Sequence, residues 1–412
     1  MVDHVVQDGL VVPATRRRRA WLLDGVLVLV LLGALAARLQ LAATLPFIHD
    51  EENTSIPLSR LISFEAGKRN LPIRAVNHGA LPAYFVKLSS TLFGETPLGY
   101  RAVHVGSSLV TIVLVSLMAR RAYGSEAALA AAVLLAFNEY FLNISSRATA
   151  HGPYLLFATL AMFAFGRFLL SRRRAFLYAA GVALGLGFYC KEHIVLLLPV
   201  FFATLLLTRN RRWLRTPHPY VAVVVFAGMI AADVAWNAAA TPDVNRVTYG
   251  SRDAPQATYA SHLKRVGGVG LSVYPLVFYG HDAMMAVYRA TTGEELDDNT
   301  PEYASMNLAF GVVLLASVLV TTVRPAAADP LQPFLLIAFW TVFALFTLIK
   351  RGDSPGLDPV SWIWVDVTMI PAAVLAGAAV TRLTGVTRLA AWLVIVAAAA
   401  SAGGTTLAAA CR

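Results

Sequence analysis

Blocks of apolar residues recur along the whole chain, many of them near the ~20 residues that an α-helix needs to cross a ~30 Å hydrocarbon core. They fall at about 21–45, 98–119, 125–142, 150–170, 175–190, 192–208, 219–240, 305–323, 331–349, 361–380 and 389–410. Lipid offers backbone N–H and C=O groups no partner, so open sheet edges do not survive there and each block has to pair internally as a helix. The expected fold is therefore all-α, a polytopic transmembrane helical bundle of about eleven spans. The fifth and sixth blocks are short and separated only by the turn around Cys190-Lys191-Glu192-His193.

Composition agrees. Apolar residues make up 57% and charged residues 14% of the chain, and mean hydropathy is +0.62, a balance that leaves a soluble protein of this size too little polar surface. The formal charge of +10 would point to nucleic acid in a soluble protein. Here most arginines sit in short connections, so no nucleic-acid partner is expected. Arg16–Arg19, Arg120-Arg121, Arg172–Arg174, Arg209 to Arg215, Arg324 and Arg382/Arg388 fall at alternate block ends. The positive-inside rule then puts the N-terminus in the cytoplasm and the C-terminus outside the plasma (inner) membrane. The run after Arg19 is longer than a cleavable signal core and reads as an uncleaved first span. Cys190 and Cys411 are the only cysteines and form no disulfide framework.

This orientation divides the chain into a cytoplasmic tail (1–20), a membrane module (21–240) with a first outer loop (45–97), an outer loop (241–304) and C-terminal transmembrane helices (305–412). Stretches 51–66 and 80–93 carry apolar residues at helical spacing and read as amphipathic helices lying at the interface. Leu271–Tyr288 has a similar pattern.

The ionisable clusters gather on the outer side: His49-Asp50-Glu51-Glu52, Asn77-His78, Arg101, Glu139, Arg147, His151, Lys191-Glu192-His193, Lys350-Arg351 and Asp353. A carboxylate partly shielded from water gains basicity and suits a general base; the alternative for Asp50-Glu51-Glu52 is a solvated helix cap. Lys191, Lys350 and Arg351 run against the positive-inside trend. Phosphate binding is one reason for a cation there, and snorkelling at the interface or a local Lys191–Glu192 ion pair are others. His49 and His78 could join the carboxylates around a divalent cation, although no i, i+4 ligand spacing supports a metal site. Asp233 lies within an apolar block, where an ionisable group flags an ion path unless it is near the interface.

Four stretches resemble the GT-C superfamily of membrane glycosyltransferases, in particular the group with dolichyl-phosphate-mannose–protein mannosyltransferases and the lipid A aminoarabinose transferase. Phe47-Ile48-His49-Asp50-Glu51 is similar to that family's first-loop acidic motif. Asn77-His78-Gly79-Ala80-Leu81-Pro82-Ala83-Tyr84, with Leu92-Phe93-Gly94-Glu95 and Tyr100-Arg101, is similar to its His-Pro-Pro-Leu-Tyr … Phe-Gly … Arg pattern. Ser145-Ser146-Arg147-Ala148 … Tyr154 resembles the segment entering the fourth span, and Gly187-Phe188-Tyr189-Cys190-Lys191-Glu192 the Thr-Lys-Glu turn. The likeness covers about residues 20–205. The chain departs from the pattern at His151, where many relatives carry aspartate, and at Gly79 … Pro82 in place of a Pro-Pro pair. No soluble C-terminal domain of the kind some relatives have is expected.

The resemblance implies transfer of a sugar from a polyprenyl-phosphate donor to an acceptor hydroxyl outside the cytoplasm, by single displacement with inversion. It makes Asp50 the general base with Glu51 assisting, and Lys191, Arg147, Lys350 and Arg351 the donor-phosphate ligands. His49, His78, Tyr84, Arg101, His151 and Glu192 would contact substrate. The acceptor class (glycan, lipid or protein) stays open, and the implied partners are the donor, the acceptor and membrane lipids. No cofactor is fixed by the pattern. A lipid-linked-sugar flippase or a non-catalytic GT-C-like subunit are the alternatives. The first needs ionisable groups at mid-bilayer, where Asp233 is the candidate; Arg38, Arg101 and Asp366 are nearer block ends.

Overall fold

The computed structural model describes residues 14–48, 50–63, 79–239, 268–269, 278–279, 290, 308–324, 329, 331–350 and 361–410. Each apolar block in the sequence falls on helix. The first forms α1 (Ala14–Thr44), which ends two residues before Pro46. A π-helical turn (Glu51–Ser55), α2 (Ile56–Leu61) and α3 (Leu81–Phe93) make up the described part of the first loop. Next come α4 (Pro97–Tyr123), α5 (Ser125–Ala136), α6 (Glu139–Ser145), α7 (His151–Ser171) and α8 (Arg174–Phe188). A 3₁₀ turn (Glu192–Leu196) enters α9 (Leu197–Leu207), followed by α10 (His218–Ala239). Further on lie α11 (Leu308–Val323), α12 (Leu331–Leu348), a 3₁₀ stretch (Ser361–Thr368) running into α13 (Met369–Arg382), and α14 (Gly385–Ala410).

The chain is an integral membrane protein. By length and composition, four helical stretches can each cross a membrane alone: Trp21–Thr44, Pro97–Tyr123, His151–Ser171 and Val365–Arg382. A fifth forms if the pair α5 and α6, bent by 66°, counts as one span. The other apolar stretches, Arg174–Phe188, Glu192–Leu207, His218–Asp233, Leu308–Val323, Leu331–Thr347 and Gly385–Ser401, are shorter, at 10–17 residues. A two-residue antiparallel ladder, Gly268–Val269 against Ile349–Lys350, joins the segment between α10 and α11 to the end of α12. It is a small departure from the all-α expectation.

Helix starts and stops follow local chemistry. The Thr96 hydroxyl accepts from the Gly99 N–H at the start of α4, and the Asn138 side chain accepts from Phe141 N–H at 2.9 Å. The second cap lets a new helix begin directly after α5 at a steep angle. α1 packs on α4 and α5, α4 on α7, α7 on α8, α8 on α10, and α13 on α5 and α11. The α5–α13 crossing is close because α13 is built from small residues: a Cβ on Gly377 would overlap the Ala127 carbonyl oxygen. Aromatic rings fill the centre, with Phe165 stacked on Phe201 at 4.2 Å and tilted against Phe334 at 5.1 Å.

The sequence segment 80–93 corresponds to α3, which buries Ala83 and Val86 and exposes Leu88, Leu92 and Phe93. Segment 51–66 corresponds to the π turn and α2 as far as residue 63. In 271–288 only Phe278 and Tyr279 are described.

The two ends of the bundle differ in charge chemistry. One end holds Arg120 on Asp24 at 2.8 Å, Arg388 facing Glu126 at 3.5 Å, and Arg382 donating to the Arg324 carbonyl and Gln332. The other end is where the end of α1, the start of α4, the α6–α7 connection, the α8–α9 turn and the stretch before α13 converge.

Candidate active site

At that second end two buried clusters form. The first is centred on Glu51, which is 0% exposed. Arg101, one turn into α4, grips it with both edges of its guanidinium: Nε donates to Oε1 at 2.7 Å and Nη2 to Oε2 at 2.6 Å. The same guanidinium donates to the carbonyls of Ala42, Leu45 and Pro46 at 3.0, 2.8 and 3.1 Å, and it lies over the Phe47 ring. Glu51 also accepts from the backbone N–H of Ala148 at 2.8 Å and of Ile48 at 3.3 Å. Arg147 donates to the Pro46 carbonyl at 2.8 Å and to Asn143 Oδ1 at 2.8 Å, with Nη1 3.6 Å from Glu51. Planar, bidentate arginine–carboxylate pairing of this kind fixes orientation as well as position. The Glu51 pair thus fastens the first loop to α4 and to the connection before α7, and it sets where the adjoining, half-buried Asp50 stands.

The second cluster is a chain of three side chains. Lys191, 3% exposed, sits in an extended residue between α8 and the 3₁₀ turn. Its Nζ lies 2.6 Å from His151 Nε2, and His151 Nδ1 lies 2.8 Å from Asp366 Oδ2. Tyr140, at the start of α6, reaches the same oxygen at 3.5 Å. Burial pushes the Lys191 ammonium below the ordinary lysine range, while the charges of Asp366, Asp50 and Glu192 work against that. Ala148, which donates to Glu51, and His151, which meets Lys191, stand three residues apart at the start of α7, so the two clusters lie at the same end of the bundle. Lys191 turns to His151 rather than forming a simple local pair with Glu192.

The first loop and the lysine turn are docked to each other by backbone. Gly79 N–H donates to the Cys190 carbonyl and Leu81 N–H to the Tyr189 carbonyl, both at 3.1 Å. A Cβ at position 79 would overlap the Tyr189 carbonyl oxygen, so a glycine is required here by approach distance. Tyr84 is half-buried on α3 in a small apolar cluster with Leu58, Ile62 and Ala83; it braces α2 against α3.

Asp50, Glu51, Arg101, Arg147, His151, Lys191 and Glu192 are thus gathered at one end of the bundle. His49, His78 and Arg351 lie outside the described residues, and Lys350 is described only as backbone of the short ladder. Among the described residues no group of three His, Cys, Asp or Glu side chains forms a metal-binding cluster. Asp233 stands one helical turn beyond Met229, whose carbonyl accepts from the Tyr189 hydroxyl of the lysine turn at 2.8 Å. Asp366 is the site residue that sequence reasoning left aside as a carboxylate near a block end. A lone aspartate entering an apolar helix was the available signal.

With this geometry in view, the fold defines a class: the chain resembles the GT-C superfamily of membrane glycosyltransferases. Residues 77–236 match the family model described as dolichyl-phosphate-mannose-protein mannosyltransferase. An undecaprenyl phosphate-alpha-4-amino-4-deoxy-L-arabinose arabinosyl transferase of Pseudomonas aeruginosa is 25% identical over 307 residues, which are 73% of this chain and 49% of that protein. The chain spans about half the length of the curated relatives it matches. Among solved structures, apo ArnT from Cupriavidus metallidurans aligns with a TM-score of 0.61 at 17% identity, over 90% of this chain and 62% of its own. The same protein bound to undecaprenyl phosphate aligns with a TM-score of 0.60 at 19% identity, over 87% of this chain and 61% of its own. The Archaeoglobus fulgidus oligosaccharyltransferase tethered to an acceptor peptide gives 0.55 at 14% identity, over 93% and 55%.

Proposed function

We propose that the protein is a glycosyltransferase that moves a sugar from a polyprenyl-phosphate donor to an acceptor hydroxyl on the extracytoplasmic side of the membrane. The observation that carries this reading is the docking of the first loop, which holds Asp50 beside the clamped Glu51, onto the turn that holds the buried Lys191, in a fold shared with a protein solved with undecaprenyl phosphate. A shielded carboxylate and a buried ammonium are the two charges that a displacement at a sugar carbon beside a phosphate needs.

In the reaction, the Asp50 carboxylate takes the proton of the acceptor hydroxyl as its oxygen attacks the anomeric carbon. The bond from that carbon to the phosphate oxygen breaks, and the polyprenyl phosphate leaves with the bonding electrons. The single displacement inverts the anomeric centre. Lys191 faces the negative charge that grows on the departing phosphate, where a fixed cation does most for the rate. Glu51, engaged by Arg101 and by two backbone N–H groups, acts by positioning Asp50, and Arg147 holds the loop from the other side. The alternate arginine clusters support a site on the outer side and an N-terminus in the cytoplasm of the inner membrane. The same alternation supports eleven spans, with α2 and α3 at the interface.

The test is transfer by purified protein in detergent, with radiolabelled undecaprenyl-phosphate sugars and a panel of glycan, lipid and peptide acceptors. Wild type releases carrier-free product, and Asp50→Asn lowers the rate by about 10²–10⁴-fold at unchanged expression, the usual effect of losing a general base. Recovery of intact donor alone with every acceptor, while vesicles show translocation of the lipid, would establish the flippase instead.

A further inference from the structure

Lys191 is not alone at its depth. His151 lies between it and Asp366, with 2.6 Å on the lysine side and 2.8 Å on the carboxylate side. All three are almost fully enclosed, at 3%, 1% and 1% exposure. The other Asp366 oxygen, Oδ1, is buried and has no hydrogen-bond partner among the described residues. A half-satisfied carboxylate in an apolar wall is unfavourable unless an opposite charge compensates it. Among the described residues, Lys191 is a cation that reaches it, by way of the imidazole.

The three groups admit more than one consistent protonation pattern, and two of these differ at the lysine. An ammonium has only donors, so with Lys191 charged His151 Nε2 accepts, Nδ1 carries the ring proton, and Asp366 accepts as the anion. Moving one proton from Nζ to Nε2 and one from Nδ1 to Oδ2 gives a neutral amine, a neutral imidazole of the other tautomer and a carboxylic acid. Net charge is zero in both. They differ in whether a positive charge stands at the site end of the chain.

We infer that Asp366 is a positioning residue for the phosphate ligand: through His151 it keeps the Lys191 ammonium charged and aimed, so that an incoming anionic phosphate meets a cation already in place. The inference rests on the phosphate role proposed for Lys191. The groups that face the lysine are His151 from α7, Asp366 from the stretch before α13, Asp50 from the first loop, and Glu192 and His193 from its own turn. Among the described residues, those that face Asp366 are His151, Lys191, His193, Tyr140 and Tyr154.

The test is binding of undecaprenyl phosphate to the purified full chain in detergent, titrated from about pH 6 to about pH 10. Binding to wild type falls at high pH as the ammonium is lost. In Asp366→Asn the opposite charge is gone, the amine deprotonates earlier, and the fall moves to lower pH by about one unit or more, the range for a charge 4–6 Å away. Lys191→Arg in the Asp366→Asn background abolishes the alkaline fall, because a guanidinium stays charged. A merely structural role would lower the bound fraction equally at every pH and would leave the midpoint in place. Should Asp366→Asn not yield monodisperse protein, His151→Gln breaks the same chain and carries the same expected shift. An unmoved midpoint, or an alkaline fall that persists in the double variant, overturns the inference while leaving the phosphate site standing. No binding by wild type at any pH removes the phosphate role itself, and the inference with it.

Discussion

Replacing Arg101 with methionine separates the contributions of the buried clamp on the first loop. The change deletes five hydrogen bonds, two to Glu51 and three to the carbonyls of Ala42, Leu45 and Pro46. It also leaves the Glu51 carboxylate, 0% exposed, facing only Arg147 at 3.6 Å and two backbone N–H groups. Removing one partner of a buried ion pair destabilises by about 3–5 kcal/mol, because the remaining charge is uncompensated. Two of the three carbonyls belong to the partly exposed Leu45 and the exposed Pro46 just after α1, where water can replace part of what is lost, so the stranded carboxylate dominates. Glu51→Met alone should be comparably damaging, since it strands the guanidinium. The double variant Glu51→Met/Arg101→Met removes both charges together and should be milder than the sum by on the order of 2 kcal/mol. The assay is SDS-induced unfolding in mixed micelles followed by tryptophan fluorescence, with protease sensitivity of residues 45–63 as the local readout. Single variants within about 1 kcal/mol of wild type, or a double variant equal to the sum, would refute a clamp built on mutual charge compensation.

Three further outcomes are expected. Gly79→Ala drives a methyl group into the Tyr189 carbonyl and should detach the first loop from the lysine turn, seen as faster proteolysis around residue 79 and loss of transfer with little change in the midpoint of global unfolding. Asn138→Ala removes the cap that accepts from Phe141 N–H and should cost about 1 kcal/mol in the same SDS unfolding assay. Single cysteines at the exposed positions 60 and 173 should label oppositely with a membrane-impermeant maleimide in intact cells, 60 reacting and 173 protected. The reverse pattern would invert the orientation.

Much of this architecture was legible because hydrocarbon imposes a rule on every block alike. Block ends can be read to within several residues, as where Pro97 opens α4 and Pro46 follows α1. The elements that bring side chains together are harder. Glu51 looks like a partner of Asp50 on the chain, yet its role is set by Arg101, which only the packing of α1 on α4 delivers. His151 stands out as a departure from the resembling family's pattern. The carboxylate that answers it, Asp366, comes from a helix far along the chain, and no spacing rule links the two. Asn138 between two apolar runs is a helix-cap signal, but a continuous span through it fits the hydropathy equally well. The 66° bend is decided by tertiary contacts.

The backbone docking of Gly79 on Cys190 also bears on how the protein is made. The first loop emerges from the ribosome well before the lysine turn that receives it. At typical synthesis rates of ~5–20 residues per second, it waits for roughly 5–20 s with its partner strand of chain still unmade. Asp366 arrives later again. During that interval Arg101 and Glu51, which are synthesised close together, are the groups able to hold the loop in shape. The clamp is therefore placed where a nascent chain needs it, and the site is completed only once Asp366 has been made and has met His151.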